Sequence, residues 1–224
     1  MLARTVTSLS ALSGGRVVLG MGAGGRWDLI GDMGVPRLTP SAAVDAFEEA
    51  IVLVRKLSGG GDPVTFHGRH YRVDAIAPAP VAAPAVWTGS VGPKSLAATG
   101  RVADGWLPGH AADWLSERYR TSRPVIDEAA TAAGRDPSEI RTIFNFPGRI
   151  TDRPLAATRD GEGRWVGGSA DQWVEELTGA VLEHGAGGFV LFSPTGEVQD
   201  PASLDRWARE IVPAVREAVA KDGR

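Results

Sequence analysis

The sequence contains no cysteine. That removes disulfides, thiolate metal sites and thiol nucleophiles together, and with them any clue to the redox compartment. It also has no apolar run of the ~18 residues that a membrane helix needs. The opening residues, Met1-Leu2-Ala3-Arg4-Thr5-Val6-Thr7-Ser8, are too polar for the apolar stretch of a secretory signal. Charge of one sign is scarce as well: 24 Lys and Arg against 27 Asp and Glu give a net charge of -3, which is no footprint for nucleic acid or an anionic membrane. These absences predict a cytoplasmic, soluble protein acting on a small molecule, with neither nucleic acid nor membrane as partner. What remains is ordinary globular material. The 224 residues, 43% hydrophobic and 23% charged, suffice for one sizeable core, so a single domain over 1–224 is expected.

Short runs of consecutive apolar residues alternate with helical stretches. Strands are predicted at 16–20, 85–89, 105–108, 142–146 and 188–192, each suited to a parallel sheet covered on both faces. Thr39-Pro40 opens a helix in which Val44, Phe47, Ile51, Val54 and Leu57 recur at three and four residues until Gly59-Gly60-Gly61 stops it. Ser169 and Gln172 form a capping box ahead of Trp173, Leu177, Ala180 and Val181, and Gly185 ends that helix. Asp200-Pro201 opens a last helix, with a kink expected at Pro213. Strand and helix in alternation predict an α/β fold with parallel strands adjacent in chain order, of TIM-barrel type, with about five of the eight βα units in view.

The segment richest in chemistry follows the second of these strands. Gly89-Ser90-Val91-Gly92-Pro93-Lys94-Ser95-Leu96 turns on two glycines into a helix, with Pro93 near its first position. Glycines let backbone N–H groups approach an anion, the helix N-terminus adds partial positive charge, and Lys94 or the Ser90 and Ser95 hydroxyls complete a cradle. The same pattern serves elsewhere as plain connection chemistry.

The run Leu12-Ser13-Gly14-Gly15-Arg16-Val17-Val18-Leu19-Gly20-Met21-Gly22-Ala23-Gly24 resembles the fourth-strand region of the bacterial luciferase-like flavin and deazaflavin oxidoreductases. So do residues 39–57, Gly92-Pro93-Lys94-Ser95-Leu96 with Thr99-Gly100-Arg101-Val102-Ala103-Asp104-Gly105-Trp106, and Gly168-Ser169-Ala170-Asp171-Gln172-Trp173. The resemblance covers essentially the whole chain in order. It implies a TIM barrel lacking the family's three N-terminal βα units, and FMN or coenzyme F420 as cofactor. The cofactor phosphate would then sit in the turn of Gly89, Ser90, Val91, Gly92, Pro93 and Lys94, with Gly22 nearby. The implied reactions are hydride transfer or oxygenation of a small organic substrate. Where the family's sugar-phosphate dehydrogenases carry an acidic proton donor, this chain has Gly25. A catalytically silent flavin-binding or assembly subunit, and a barrel enzyme acting on a phosphorylated metabolite, are the competing readings. The open edges of an incomplete barrel make a homo-oligomer the expected state.

Arg26, Trp27, Trp106 and His110 follow or end predicted strands, where a barrel keeps its chemistry, and are the candidates for lining the substrate space. No catalytic side chain is singled out, because the cofactor carries the hard chemistry. His67 and His70 read as a hairpin around Gly68-Arg69 rather than a metal pair, so no metal is expected. Arg101 and Asp104 read as ion-pair or capping residues.

Overall fold

The computed structural model describes residues 1–25, 27–109, 113–192 and 200–222, without the side chains of Trp27 and Asp28. The chain divides into two compact units, Met1–Trp106 with Pro124–Ile140, and Leu107–Arg123 with Arg141–Arg224.

The first unit starts with helix α1 (Leu2–Leu12), which buries Ala3, Val6, Thr7 and Ser10. Strand β1 (Val18–Met21) and the short helix α2 (Trp27–Asp32) follow. Helix α3 (Pro40–Lys56) begins as its sequence directs: Thr39 caps it by accepting from the Ala42 N–H at 3.2 Å, and Pro40 fills the first position. Strands β2 (Val64–His67) and β3 (Arg72–Ile76) make the expected antiparallel hairpin. Strand β4 (Ala85–Thr88) leads into helix α4 (Pro93–Val102), and β5 (Gly105–Trp106) follows. Strands β1, β4 and β5 are parallel neighbours in that order. Phe47 and Ile51 of α3 pack with Val86 of β4 and Ala98 of α4 to form the core beneath the sheet.

Helix α5 (Glu117–Ala132) is the main element that the sequence did not announce. Its inward positions, Ser122, Ile126 and Ala130, recur at four residues but include only one large apolar side chain, and Pro124 interrupts its interior. From Pro124 onward the helix lies in the first unit, where it approaches α4 so closely that a Cβ on Gly100 would strike the Ile126 carbonyl.

The second unit contains β6 (Arg141–Pro147), β7 (Arg149–Ile150), β8 (Gly167–Gly168), helix α6 (Ala170–His184) and β9 (Ala186–Phe192). It ends with α7 (Pro201–Arg206), a π-helical segment Trp207–Ile211 and α8 (Val212–Asp222). Strands β6 and β9 pair in parallel, Phe144 opposite Phe189. The capping box of Ser169 and Gln172 is formed, and Gly185 closes α6 in the left-handed conformation at φ 66°. The core is aromatic: Trp114, Phe144, Phe146, Trp165 and Trp173 pack with Leu177 and Ile211.

Two local expectations are corrected. Strand β5 stops at Trp106 instead of reaching Pro108, a residue with no N–H to continue a ladder. The irregularity expected at Pro213 takes the form of the π-helical segment directly before it, a wider turn rather than a sharp bend. Among the described residues, β1 pairs only with β4 and β9 only with β6.

Candidate active site: the glycine turn between β4 and α4

The parallel register of β1 and β4 sets Met21 opposite Thr88, so the chain leaves both strands at the same end, through Gly22 and through Gly89. That is the end of a parallel α/β sheet at which ligands bind. The glycines there are not demanded by the fold. None of Gly22, Gly89 and Gly92 adopts a left-handed backbone. Among the described residues, a Cβ at Gly22 or Gly89 would meet no atom within 4 Å, and one at Gly92 would meet only Ser95 Oγ at 3.8 Å. Apart from that one contact, the described residues leave the space in front of all three open.

Behind that space is the start of α4. Gly92, its N-cap residue, offers no side chain to cap the helix, and Pro93 occupies the first position. The Leu96 N–H and the Ser95 hydroxyl both donate to the Gly92 carbonyl at 2.9 Å, which closes the first turn. The N-terminal partial charge therefore faces the glycines with no side-chain partner of its own.

The turn is held from below by buried polar contacts. Ser90 is nearly buried, its carbonyl accepts from the Trp106 indole N–H at 2.9 Å, and its Oγ lies 2.9 Å from Thr99 Oγ1. Thr99 in turn lies 2.8 Å from Thr88 Oγ1, and both threonines are buried. Val91, by contrast, is 61% exposed at the tip of the turn.

The charged residues nearby serve the frame. Lys94 reaches away from the turn to α3, donating to the Ser41 carbonyl at 3.0 Å and the Ser41 hydroxyl at 2.7 Å, and pairing with Asp45. The hydrogen bond from Lys94 holds the Asp45 carboxyl below its ordinary range despite partial desolvation. Arg101 makes a bidentate pair with Glu48, at 2.7 and 2.6 Å. Asp104 accepts from Arg55 and from the Val86 N–H, each at 2.8 Å. The ion-pair reading of Arg101 and Asp104 therefore stands, with partners on α3 and β4 that lie far away in sequence.

The structure brings Gly22, Gly89, Ser90, Gly92 and Pro93 to one end of the sheet, leaves the backbone of Lys94 there, and sends its ammonium elsewhere. Trp106 has no exposed surface and supports Ser90 from behind. Arg26, the Trp27 side chain and His110 lie outside the described residues. His67 contacts Asp74 at 2.5 Å, and the His70 N–H donates to Glu49 at 2.9 Å. Sequence reasoning missed the Thr88–Thr99 pair. Its one visible signal was Thr99, three residues after Leu96 on the inward face of α4.

A parallel sheet whose second strand turns through glycines into a helix without a side-chain cap is the architecture of a parallel α/β protein with its open turns at the C-terminal ends of the strands. The chain belongs to the luciferase-like monooxygenase family, whose model matches residues 1–191. An F420-dependent hydroxymycolic acid dehydrogenase of Mycobacterium tuberculosis is 30% identical over 183 residues, 76% of this chain and 46% of that protein. An F420-dependent glucose-6-phosphate dehydrogenase of Nakamurella multipartita is 28% identical over 160 residues, 69% of this chain and 46% of that protein. The chain thus spans about half the length of these relatives. Among solved structures, the coenzyme F420-dependent tetrahydromethanopterin reductase of Methanopyrus kandleri superposes with a TM-score of 0.69 at 20% identity, over 95% of this chain and 78% of that one. The fold is thereby the TIM-barrel type of the luciferase-like enzymes.

Proposed function

We propose that this chain carries the phosphate-binding part of a coenzyme F420-dependent oxidoreductase that acts on a small organic substrate. The observation that carries the reading is the combination at this end of the sheet: the N-terminus of α4, without a side-chain cap, beside Gly89, Gly92 and the neighbouring Gly22, glycines that neither backbone conformation nor packing of the described residues requires. A phosphate would lie against the backbone of Gly89, Ser90 and Gly92, with Gly22 leaving room from the neighbouring turn.

The choice of F420 over FMN rests on two supports. The sequence relatives described above are F420-dependent by name. The described donors of the turn are neutral, since the Lys94 ammonium is engaged by Asp45 and Ser41. Neutral donors suit the singly charged phosphodiester of F420 better than the doubly charged monoester of FMN. When bound, the deazaflavin supplies hydride transfer, and the protein supplies anchoring, ring orientation and shielding from water.

Fluorescence titration of the 224-residue chain with F420, and in parallel with FMN, tests the reading. Saturable F420 binding that is tighter than FMN binding supports it. Binding of neither overturns it.

A further inference from the structure

The hydroxyl of Thr99 has one proton and three oxygens within reach: Thr88 Oγ1 at 2.8 Å, Ser90 Oγ at 2.9 Å and the Ser95 carbonyl at 2.9 Å. Two of the possible proton arrangements matter here: one fills all three contacts, and the other gives up the one to Ser95. In one, Thr99 donates back along its own helix to Ser95, while Thr88 and Ser90 both donate to the Thr99 oxygen. In the other, Thr88 donates to Thr99, Thr99 donates to Ser90, and the Ser90 proton is left free for an acceptor outside the series. Thr88 and Thr99 are buried, so no bulk water competes for these protons.

We propose that Thr88, Thr99 and Ser90 form a donor series that a phosphate group in the β4–α4 turn switches into the second arrangement, making Thr99 a positioning residue for the cofactor phosphate. The inference rests on the reading of this turn as a cofactor site. An anion rewards the freed proton of Ser90, and each hydroxyl behind it then polarises the next in the same direction. The Ser95 carbonyl gives up its side-chain donor in exchange but keeps its helical backbone donor. Trp106 holds the Ser90 backbone in place by donating to its carbonyl. The device delivers directional donation to an anion without a cation in the turn, which accords with the engagement of Lys94 by Asp45.

The test compares Thr99→Val, which keeps the shape and loses the hydroxyl, with Thr99→Ser, which keeps the hydroxyl. The probes are F420 and the same deazaflavin without its phosphate. Expected is a loss of about tenfold in F420 affinity for Thr99→Val, with recovery to within about threefold in Thr99→Ser. Affinity for the phosphate-free deazaflavin is expected to stay unchanged in both, with melting temperatures reported alongside. Ser90→Ala should lose about as much as Thr99→Val, and the double variant little more than either, because groups in series are not additive. Equal losses for both probes in Thr99→Val, or no loss for either, overturn the donor series while leaving the cofactor site standing. If wild-type protein binds neither F420 nor FMN, the site reading fails and the donor series fails with it.

Discussion

Lys94 and Asp45 face each other from the first turn of α4 and the second turn of α3, and Ser41 completes the ring of acceptors around the ammonium. A lysine in a glycine-rich turn suggests direct contact with phosphate, but this one ties two helices together. Lys94→Ala should therefore change F420 affinity by less than about threefold and lower stability only slightly, since the pair is partly exposed. Titration and chemical denaturation of the same variant check both halves. A large affinity loss with unchanged stability would show that the ammonium leaves Asp45 for the ligand.

Gly92 and Gly100, eight residues apart, should respond in opposite ways. Gly92 has an extended backbone at φ -89° and open space before it, so Gly92→Val should fold normally and weaken cofactor binding by at least about tenfold, or 1.4 kcal/mol. At Gly100 a Cβ would strike the Ile126 carbonyl and the Ala130 amide of α5, so Gly100→Ala should cost about 2–4 kcal/mol of stability. Paired melting and binding curves separate the two roles.

Glu49 gives the hairpin a pH dependence. Its carboxylate accepts the N–H groups of Arg69, His70 and Tyr71 at 2.7, 2.9 and 3.2 Å, docking the β2–β3 turn on α3. Burial pushes the Glu49 carboxyl up, but the three backbone donors outweigh it and hold the group below its ordinary range. A depressed folded value means that the stabilisation is complete above the unfolded value and is lost as pH falls through the folded one. Protection of the amides at 69–71 against exchange, corrected for the intrinsic rate at each pH, should therefore be lost as pH falls below the ordinary glutamate range. Glu49→Gln should show lower protection at neutral pH and little further change in protection on acidification.

Arg159 in the second unit holds two carboxylates, Asp113 at 2.9 Å and Glu176, and lies over the Trp114 ring at 5.8 Å. Its side chain is only 20% exposed and that of Asp113 only 9%. Desolvation pulls the guanidinium down, yet the hydrogen bonds to Glu176 and Asp113 leave it above its ordinary value. Arg159→Met should leave both acids without a counter-ion and cost about 2–3 kcal/mol. Glu176→Gln should cost less, because Arg159 keeps Asp113. Denaturant midpoints of the two variants give the ranking.

The sequence by itself determined the elements whose signals are local. Thr39-Pro40, the Ser169–Gln172 box and Gly185 mark helix ends through hydrogen bonds made within three or four residues, and each occurs where the sequence placed it. Runs such as 142–146, apolar on consecutive residues, are legible as parallel strands because both faces must be covered. Gly89 to Pro93 announced a strand-to-helix turn for the same local reason. Tertiary structure decided the rest. Helix α5 was silent because its inward face is small, and what holds it is the close approach that Gly100 of α4 permits. The partner of Lys94 was hidden because Asp45 lies forty-nine residues earlier, and which charge pairs with which is settled only when α3 and α4 lie side by side. Thr88, Thr99 and Ser90 are close in sequence, yet only the register of β4 against α4 turns three ordinary hydroxyls into one buried contact.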